Sequence, residues 1–331
     1  MNFSLIICTY NRSLALEKLL KSVLKQTLYP NYVLIIDASE NEKTKHLVSN
    51  GNFINTEYYK VGEKDKGLTK QRNYGISKLE KDTEVVCFLD DDTILEPNYF
   101  NRLINTYKQY PTAIGVGGYI TNEVDWHKRK HIKAPSLFCF DGYCRIEPLR
   151  FRIRAKFGLQ PDRPPCYLPT FGHGRSVSFL PPTGKTYEVE LFMGGVASYR
   201  TEVFDQITFS EYFEGYGLYE DADFCLRLSK IGKLYVNTSA RLGHYHEPSG
   251  RPSTYKYGKM VVRNGWYVWR VKYNNVNLKS ILKWYATEAL LMVLAFISAV
   301  KSKDKVNTAK EGFGRFVGLL KLIVSKPKIN S

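Results

Sequence analysis

Three consecutive carboxylates, Asp90, Asp91 and Asp92, close the apolar run EVVCFL and open the segment DDDTILEPNYF. Adjacent negative charges repel one another, and they persist together where a hard divalent cation, Mg2+ or Mn2+, is shared among their oxygens. In an extended segment Asp90 and Asp92 point to one side and Asp91 to the other, which suits a metal that also holds phosphate oxygens. An acidic turn capping the helix that follows accounts for the same residues without a ligand. A second acidic group, Glu220 and Asp221, begins the stretch EDADFCLRLSKIG, where the helix dipole by itself favours negative charge. Asp223 and Arg227 further along form an i,i+4 pair that needs no function. His244 and His246 alternate at a strand end and so face the same side.

These groups need elements that carry them to one place. FSLIICTY reads as a buried strand, and SLALEKLLKSVLKQ follows with Leu16, Leu19, Leu20, Val23 and Leu24 at helical spacing. YVLIID, EYYKVG and EVVCFL read as further strands. NEKTKHLVSN, GLTKQRNYGISKL and PNYFNRLINTYKQY read as helices, the last with Pro97 in its first turn. This alternation predicts an α/β fold, a mostly parallel Rossmann-like sheet with helices on both faces. Ligands bind beyond the carboxyl ends of the strands in such sheets. That end collects Thr9, Asn11 and Arg12 after the first strand, Asp37 after the second, and the cluster at Asp90 to Asp92.

Between about 123 and 185 the periodicity breaks down into prolines, aromatics and the basic runs HKRKHIK and RFRIRAK. We expect an irregular insertion over the sheet there, within a catalytic domain covering 1–250. Regular pattern resumes at YEVELFMGGVASYR, then in a helix ended by Gly232 and two short strands, KLYVN and ARLGHYH. Residues 251–331 read as basic helices. Their apolar run from Ala289 to Val300 is too short to span a bilayer, and Lys279, Lys283, Lys301, Lys303 and Lys305 flank it. Interfacial helices show this combination; a helix buried against the main domain is the alternative.

Taken in order, SLIICTYNR, IIDAS, GLTKQRNYGI, FLDDDT, MGGVASYR, EGYGLYEDADFCLRLSKIG and ARLGHYH resemble the family-2 glycosyltransferases, whose nucleotide-sugar-binding fold is called GT-A. The resemblance covers roughly residues 3 to 247 apart from the insertion. It implies an inverting transfer of sugar from a nucleotide-diphospho-sugar with Mn2+ or Mg2+ as cofactor. On that likeness Thr9 and Asp37 hold the base and ribose, with Asn11 and Arg12 on the donor side. Arg72 and Asn73 correspond to the family's RN pair. Asp90 and Asp92 correspond to its DxD motif, Asp92 as metal ligand and Asp90 towards ribose or sugar, while Asp91 is the variable middle residue. Gly194 and Gly195 match a loop where sugar and acceptor meet. Asp221 corresponds to the general base, and Glu220 orients acceptor hydroxyls. His244 aligns with a metal- or diphosphate-contacting histidine, His246 being the fallback, and Arg251 reaches towards the diphosphate.

The charge distribution bears on partners. The 331 residues carry a formal +16, and between 251 and 331 sixteen basic residues face three acidic ones. So biased a tail addresses a polyanion, either nucleic acid or an anionic membrane. The ordered acidic motifs favour the membrane, and no nucleic acid is expected; a basic nucleic-acid-binding protein and a catalytically silent nucleotide- or glycan-binding relative are the alternatives. The expected partners are a UDP- or dTDP-sugar and a glycan or lipid-linked acceptor, as in synthesis of a surface polysaccharide. Six cysteines without CxxC or zinc-like spacing and no apolar leader predict a reduced, cytoplasmic protein, peripheral on the inner face of the membrane.

Overall fold

The computed structural model describes residues 1–128, 134–213, 215–247 and 251–329, so most of the basic run HKRKHIK lies outside the described residues. The chain divides into two compact units, Met1–Asp125 with Leu180–Gly250, and Trp126–Phe179 with Arg251–Ser331.

The first unit opens as its periodicities predict. Strands β1 (Phe3–Thr9), β2 (Tyr32–Asp37), β3 (Thr56–Lys60) and β4 (Val85–Asp90) alternate with helices α1 (Ser13–Val23), α2 (Lys43–Asn50) and α3 (Leu68–Ile76). After β4 come β5 (Thr93–Leu95), α4 (Tyr99–Gln109) and β6 (Ala113–Ile120). The second unit then supplies β7 (His127–Lys128), β8 (Leu137–Phe140), β9 (Tyr143–Ile146) and α5 (Leu149–Lys156). Back in the first unit are β10 (Thr186–Val189), β11 (Val196–Arg200), α6 (Glu220–Leu228) and β12 (Lys233–His244). The last helices are α7 (Thr254–Lys272), α8 (Leu278–Lys301) and α9 (Lys305–Val324).

Among the described residues the main sheet has nine strands in the order β10-β12-β6-β11-β4-β1-β2-β3, with β5 on β12. One half is parallel, β1 pairing with both β2 and β4, and β2 with β3. The other half corrects the mostly parallel expectation, because β11 enters antiparallel between β4 and β6. Two short strands were expected at the end of the unit; β12 is instead one strand with a register shift between Val236 and Arg241. Helix α6 also stops at Leu228, before the glycine expected to end it.

Alternate residues of the strands define the two faces. Leu5, Ile7, Val33 and Ile35 pack with Leu16, Leu19 and Leu20 of α1 and with Phe100 and Leu103 of α4 in one buried core. An aromatic cluster of Phe88, Tyr199, Phe204, Phe209 and Phe224 also forms in this unit; Phe209 and Phe224 stack at 4.2 Å.

The second unit is more ordered than an irregular insertion. β7, β9 and β8 form a small antiparallel sheet. Asp141 and Gly142 turn the β8–β9 hairpin with φ of 45° and 78°, the left-handed pair that two-residue hairpins favour. Cys139 and Cys144 face each other across it and are joined by a disulfide, which corrects the expectation that every cysteine is reduced; Cys8, Cys87 and Cys225 are free thiols. Helix α8 runs for 24 residues, well beyond the apolar run seen in sequence, and by length and composition alone is long and apolar enough to cross a membrane. Its Glu288 is buried and accepts from Arg315 of α9 at 3.2 Å.

Helices α7 and α9 touch backbone to backbone. A Cβ at Gly258 would run into the Glu311 carbonyl oxygen, and one at Gly314 into that of Tyr255; Gly318 faces Val262. The contacts advance together along both helices, so the two run parallel. Gly258→Ala should therefore lower stability by about 1–3 kcal/mol through overpacking. Gly265→Ala, where a Cβ meets nothing within 4 Å, should raise it by about 1 kcal/mol through helix propensity. All four tryptophans lie in this unit, so denaturation followed by tryptophan fluorescence reads both changes.

Candidate active site

The carboxylates converge at the carboxyl ends of β1 and β4, where the parallel strands deliver their last residues to one side. β5 turns back after Asp92 and pairs Thr93 with His244. That brings the end of β12 beside the end of β4, and the Tyr245 N–H donates to the Asp92 carbonyl at 2.9 Å.

Arg72 of α3 lies buried over the rings of Phe88 and Phe209, 5.5 and 5.2 Å from their centroids. Its guanidinium donates to Glu220 Oε1 at 2.6 Å and stands 3.8 Å from Asp90. Burial opposes its charge, but Glu220 and Asp90 outweigh that and hold its pKa up. Burial pushes the Glu220 carboxyl up to about 8 against the pull of Arg72, and Glu220 Oε2 has no hydrogen-bond partner among the described residues. Tyr219, in the left-handed region at φ 71°, leads the chain into this first turn of α6.

Asp221 is half-buried. Its oxygens accept from the Gly194 N–H at 3.1 Å and the Ala222 N–H at 2.7 Å; burial raises its pKa and those two donors moderate the rise. The loop between β10 and β11 can approach only because it is glycine. A Cβ on Gly194 would stand 2.6 Å from Glu220 Oε1 and 2.7 Å from Arg72, and one on Gly195 would overlap the Asp90 carboxylate. Two acidic groups from different elements thus rest on adjacent residues of one loop.

Asp91 and Asp92 diverge as their alternation requires. Asp91 is buried and accepts from Thr9 Oγ1 at 2.7 Å and Arg12 at 3.2 Å. Burial pushes it up to about 7, with Arg12 and Thr9 opposing. Burial would also lift Asp92, but the His244 ring and the Glu247 N–H, which donates at 2.8 Å, hold it down at about 2. His244 Nε2 is 3.1 Å from Asp92 Oδ1 and its Nδ1 is 3.0 Å from Glu123. Burial opposes protonation of His244, yet those two carboxylates raise it to about 10. His246 is exposed and also touches Glu123, at 3.2 Å.

Among the described residues two groups of side chains are close enough to share a cation, Glu123 with His244 and His246, and Asp90 with Asp92 and His244, the second lying at the strand ends. Asp90, Asp92 and His244 each offer a ligand atom, all within 4.8 Å of one another. Although His244 is close, the buried Asp92 Oδ1 lacks a partner of hydrogen-bonding geometry among the described residues. Two carboxylates and an imidazole suit Mn2+ or Mg2+, Mn2+ accepting the nitrogen more readily. Glu123, bonded to the far ring nitrogen, leaves Nε2 turned to the cluster.

Other expected residues have different duties. Asp37 is fully buried, its oxygens taken by the Ser39 N–H and the Tyr58 hydroxyl. Asn73 spends its amide on both backbone groups of Phe209. Both residues thus brace the fold at the strand ends. Asn11, at φ 55°, caps the loop after β2 by accepting from the Glu40 N–H. Arg251 belongs to the second unit. Sequence reasoning misses Gln71, which ties α3 to the ends of β1 and β2 through the Thr9 and Ile36 carbonyls, although it adjoins the RN pair. It also misses Glu123, for which no local signal exists.

A sequence profile of the family described as Glycosyl transferase family 2 matches residues 4–178, more than half of the chain. A glucosyl-dolichyl phosphate glucuronosyltransferase of Haloferax volcanii is 31% identical over 141 residues, 42% of this chain and 44% of that protein. The O-antigen chain rhamnosyltransferase RfbN of Salmonella typhimurium is 32% identical over 118 residues, 36% of this chain and 37% of that protein. The matches thus span less than half the length of these curated relatives. In fold, the chain is similar to the mannosyltransferase PcManGT from Pyrobaculum calidifontis, solved with GDP-Man and Mn2+, at TM-score 0.53 and 13% identity over 98% of this chain and 88% of that one. It is also similar to GalNAc-T7, solved with UDP, GalNAc and Mn2+, at TM-score 0.52 and 17% identity over 80% of this chain and 48% of that one.

The Arg72–Glu220 pair generates a prediction. Arg72→Met removes the cation that opposes the rise of the Glu220 carboxyl, so Glu220 takes up a proton at neutral pH, and the variant should lose about 1–3 kcal/mol in chemical denaturation as a buried polar group left without its partner.

Proposed function

The chain belongs to glycosyl transferase family 2, and on that premise we propose that it moves a sugar from a nucleotide-diphospho-sugar to a hydroxyl of a glycan or lipid-linked saccharide, with inversion at the anomeric carbon. The observation that carries this reading is the glycine pair. Asp90, one of the three candidate metal ligands, packs on Gly195, while Asp221 accepts from the neighbouring Gly194. A leaving-group side and a proton-accepting side therefore adjoin across two residues with no side chains of their own, where a sugar ring can lie.

Asp92, His244 and Asp90 would hold Mn2+ or Mg2+, which when bound supplies positive charge to the diphosphate leaving group. Arg12, between Asp91 and Asp92 at 3.2 and 3.7 Å, adds a fixed cation on the donor side, with Thr9 and Asn11 beside it. Asp221 takes the proton from the acceptor hydroxyl as that oxygen attacks. Its raised pKa improves it as a base, and its two backbone donors fix its direction. Glu220, clamped by Arg72, sets the orientation of the acceptor. A single displacement of this kind needs no enzyme nucleophile. Donors carrying uridine or deoxythymidine are our leading choices.

The second unit bears on where the acceptor is found. Its helices carry most of the net positive charge and expose Val293, Phe296, Ile297 and Val300 of α8 and Phe313 and Phe316 of α9. Cations beside exposed apolar side chains favour an anionic membrane surface, and the cytoplasmic leaflet is the anionic one; on that charge, and against the Cys139–Cys144 disulfide, which speaks for an oxidising compartment, we assign the protein to the inner, cytoplasmic face, acting on a lipid-borne acceptor in cell-envelope glycan synthesis.

Calorimetric titration of UDP, dTDP and GDP, with and without Mn2+, tests the donor site. One nucleotide should bind in a metal-dependent way to the wild type and not to Asp92→Ala; a folded wild-type protein that binds none of them overturns the reading. Asp221→Asn should keep that nucleotide affinity while lowering kcat by about 10²–10⁴-fold, the usual worth of a general base.

A further inference from the structure

Beyond the glycine contacts of α7 and α9 lies a groove of about 500 Å3, lined by Lys259, Arg263, Val317, Leu320, Lys321 and Val324. Its two kinds of lining have separate origins. Lys256, Lys259 and Arg263 recur at i, i+3 and i+7, which places them on one face of α7, and Lys321 comes from α9. Burial, then the charges of Lys321, Arg263 and Lys256, draw the Lys259 ammonium below its ordinary pKa, so these cations repel one another across the groove. The carboxylate of Glu311, close by on α9, is already bonded to Arg315 at 3.2 Å. The apolar lining continues outward: Phe316, Leu320, Ile323 and Val324 of α9 are 41, 47, 71 and 89% exposed. A row of repelling cations that opens onto bare apolar side chains has the chemistry of an amphiphile's complement.

We propose that this groove binds the phosphate headgroup of an anionic membrane lipid, its hydrocarbon lying along the exposed face of α9. This rests on the membrane-surface reading above and gives that surface a specific site. Nucleic acid is the weaker occupant, because it would leave Leu320, Ile323 and Val324 in water and asks for cations strung along a track, whereas here they converge on one groove.

The full chain is tested by co-sedimentation with phosphatidylcholine vesicles, with and without phosphatidylglycerol. Lys259→Gln with Lys321→Gln should weaken binding to the anionic vesicles roughly thirtyfold, from the usual contribution of two cations at such a surface. Lys18→Gln with Lys25→Gln, an equal change of charge on the exposed face of the first unit, should bind as wild type does. Lys321→Glu, at an exposed position, gives a second loss should the double variant misfold by tryptophan fluorescence. Equal losses in both Gln pairs would reduce the effect to bulk charge and overturn the site. Protection of the wild type by inorganic phosphate as strongly as by lipid would overturn the headgroup assignment in favour of a free anion. An oligonucleotide bound in preference to vesicles, and lost in the same variant, would overturn it in favour of nucleic acid. Nucleotide binding with Mn2+ is measured alongside: its absence in every protein would count against the transferase reading and leave the vesicle comparison standing.

Discussion

Gathering carboxylates at one end of a sheet is the constraint on which the first unit depends. Asp90, Asp91, Asp92, Glu220 and Asp221 share that end, where Arg12 and Arg72 are the arginines that meet them among the described residues. Arg72 carries the heavier duty, because it is buried and cannot be hydrated. The aromatic cluster makes that tolerable: the Phe88 and Phe209 rings offer their negative faces to the guanidinium. Asn73, by holding the backbone of Phe209, keeps one of those rings in position. The aromatic packing and the charge arrangement are thus one construction.

The other carboxylates sit on the side away from Arg72. Asp92 and Glu123 meet His244 from opposite ring nitrogens, with Arg12 3.7 Å from Asp92 and His246 3.2 Å from Glu123, so one imidazole is shared between two acidic groups. The glycines obey the same constraint. At Gly194 and Gly195 a side chain would have to displace a carboxylate or the arginine that neutralises it, so the absence of a side chain at this pair follows from electrostatics as much as from room for a ligand.

Signals that were local in sequence proved legible. The apolar runs of β1 and β4, the spacing of Leu16, Leu19 and Leu20 in α1, and the acidic start of α6 each sit within a dozen residues, and the structure forms these elements there. Pairings at a distance were not legible. Nothing in VASYR says that it enters antiparallel between β4 and β6, and Glu123 meets a histidine 121 positions away. Asp37 shows the same limit: its place at a strand end is local in sequence, whereas the tyrosine that bonds its second oxygen lies on the neighbouring strand. The disulfide escaped because cysteine spacing was judged against metal sites, whereas a tight turn at Asp141 and Gly142 was what brought Cys139 and Cys144 together.

The two units are interleaved along the chain, since the segment Trp126–Phe179 interrupts the first and belongs with the last eighty or so residues. A ribosome makes protein in one direction, and the order has a cost for the nascent chain. β6 is synthesised well before either of its neighbours, β11 and β12, so both of its edges wait unpaired while the interrupting segment emerges. That segment must itself wait for α7 to α9. Neither unit can close before the other has been started, and a product cut short anywhere before Glu220 lacks one half of the acidic site.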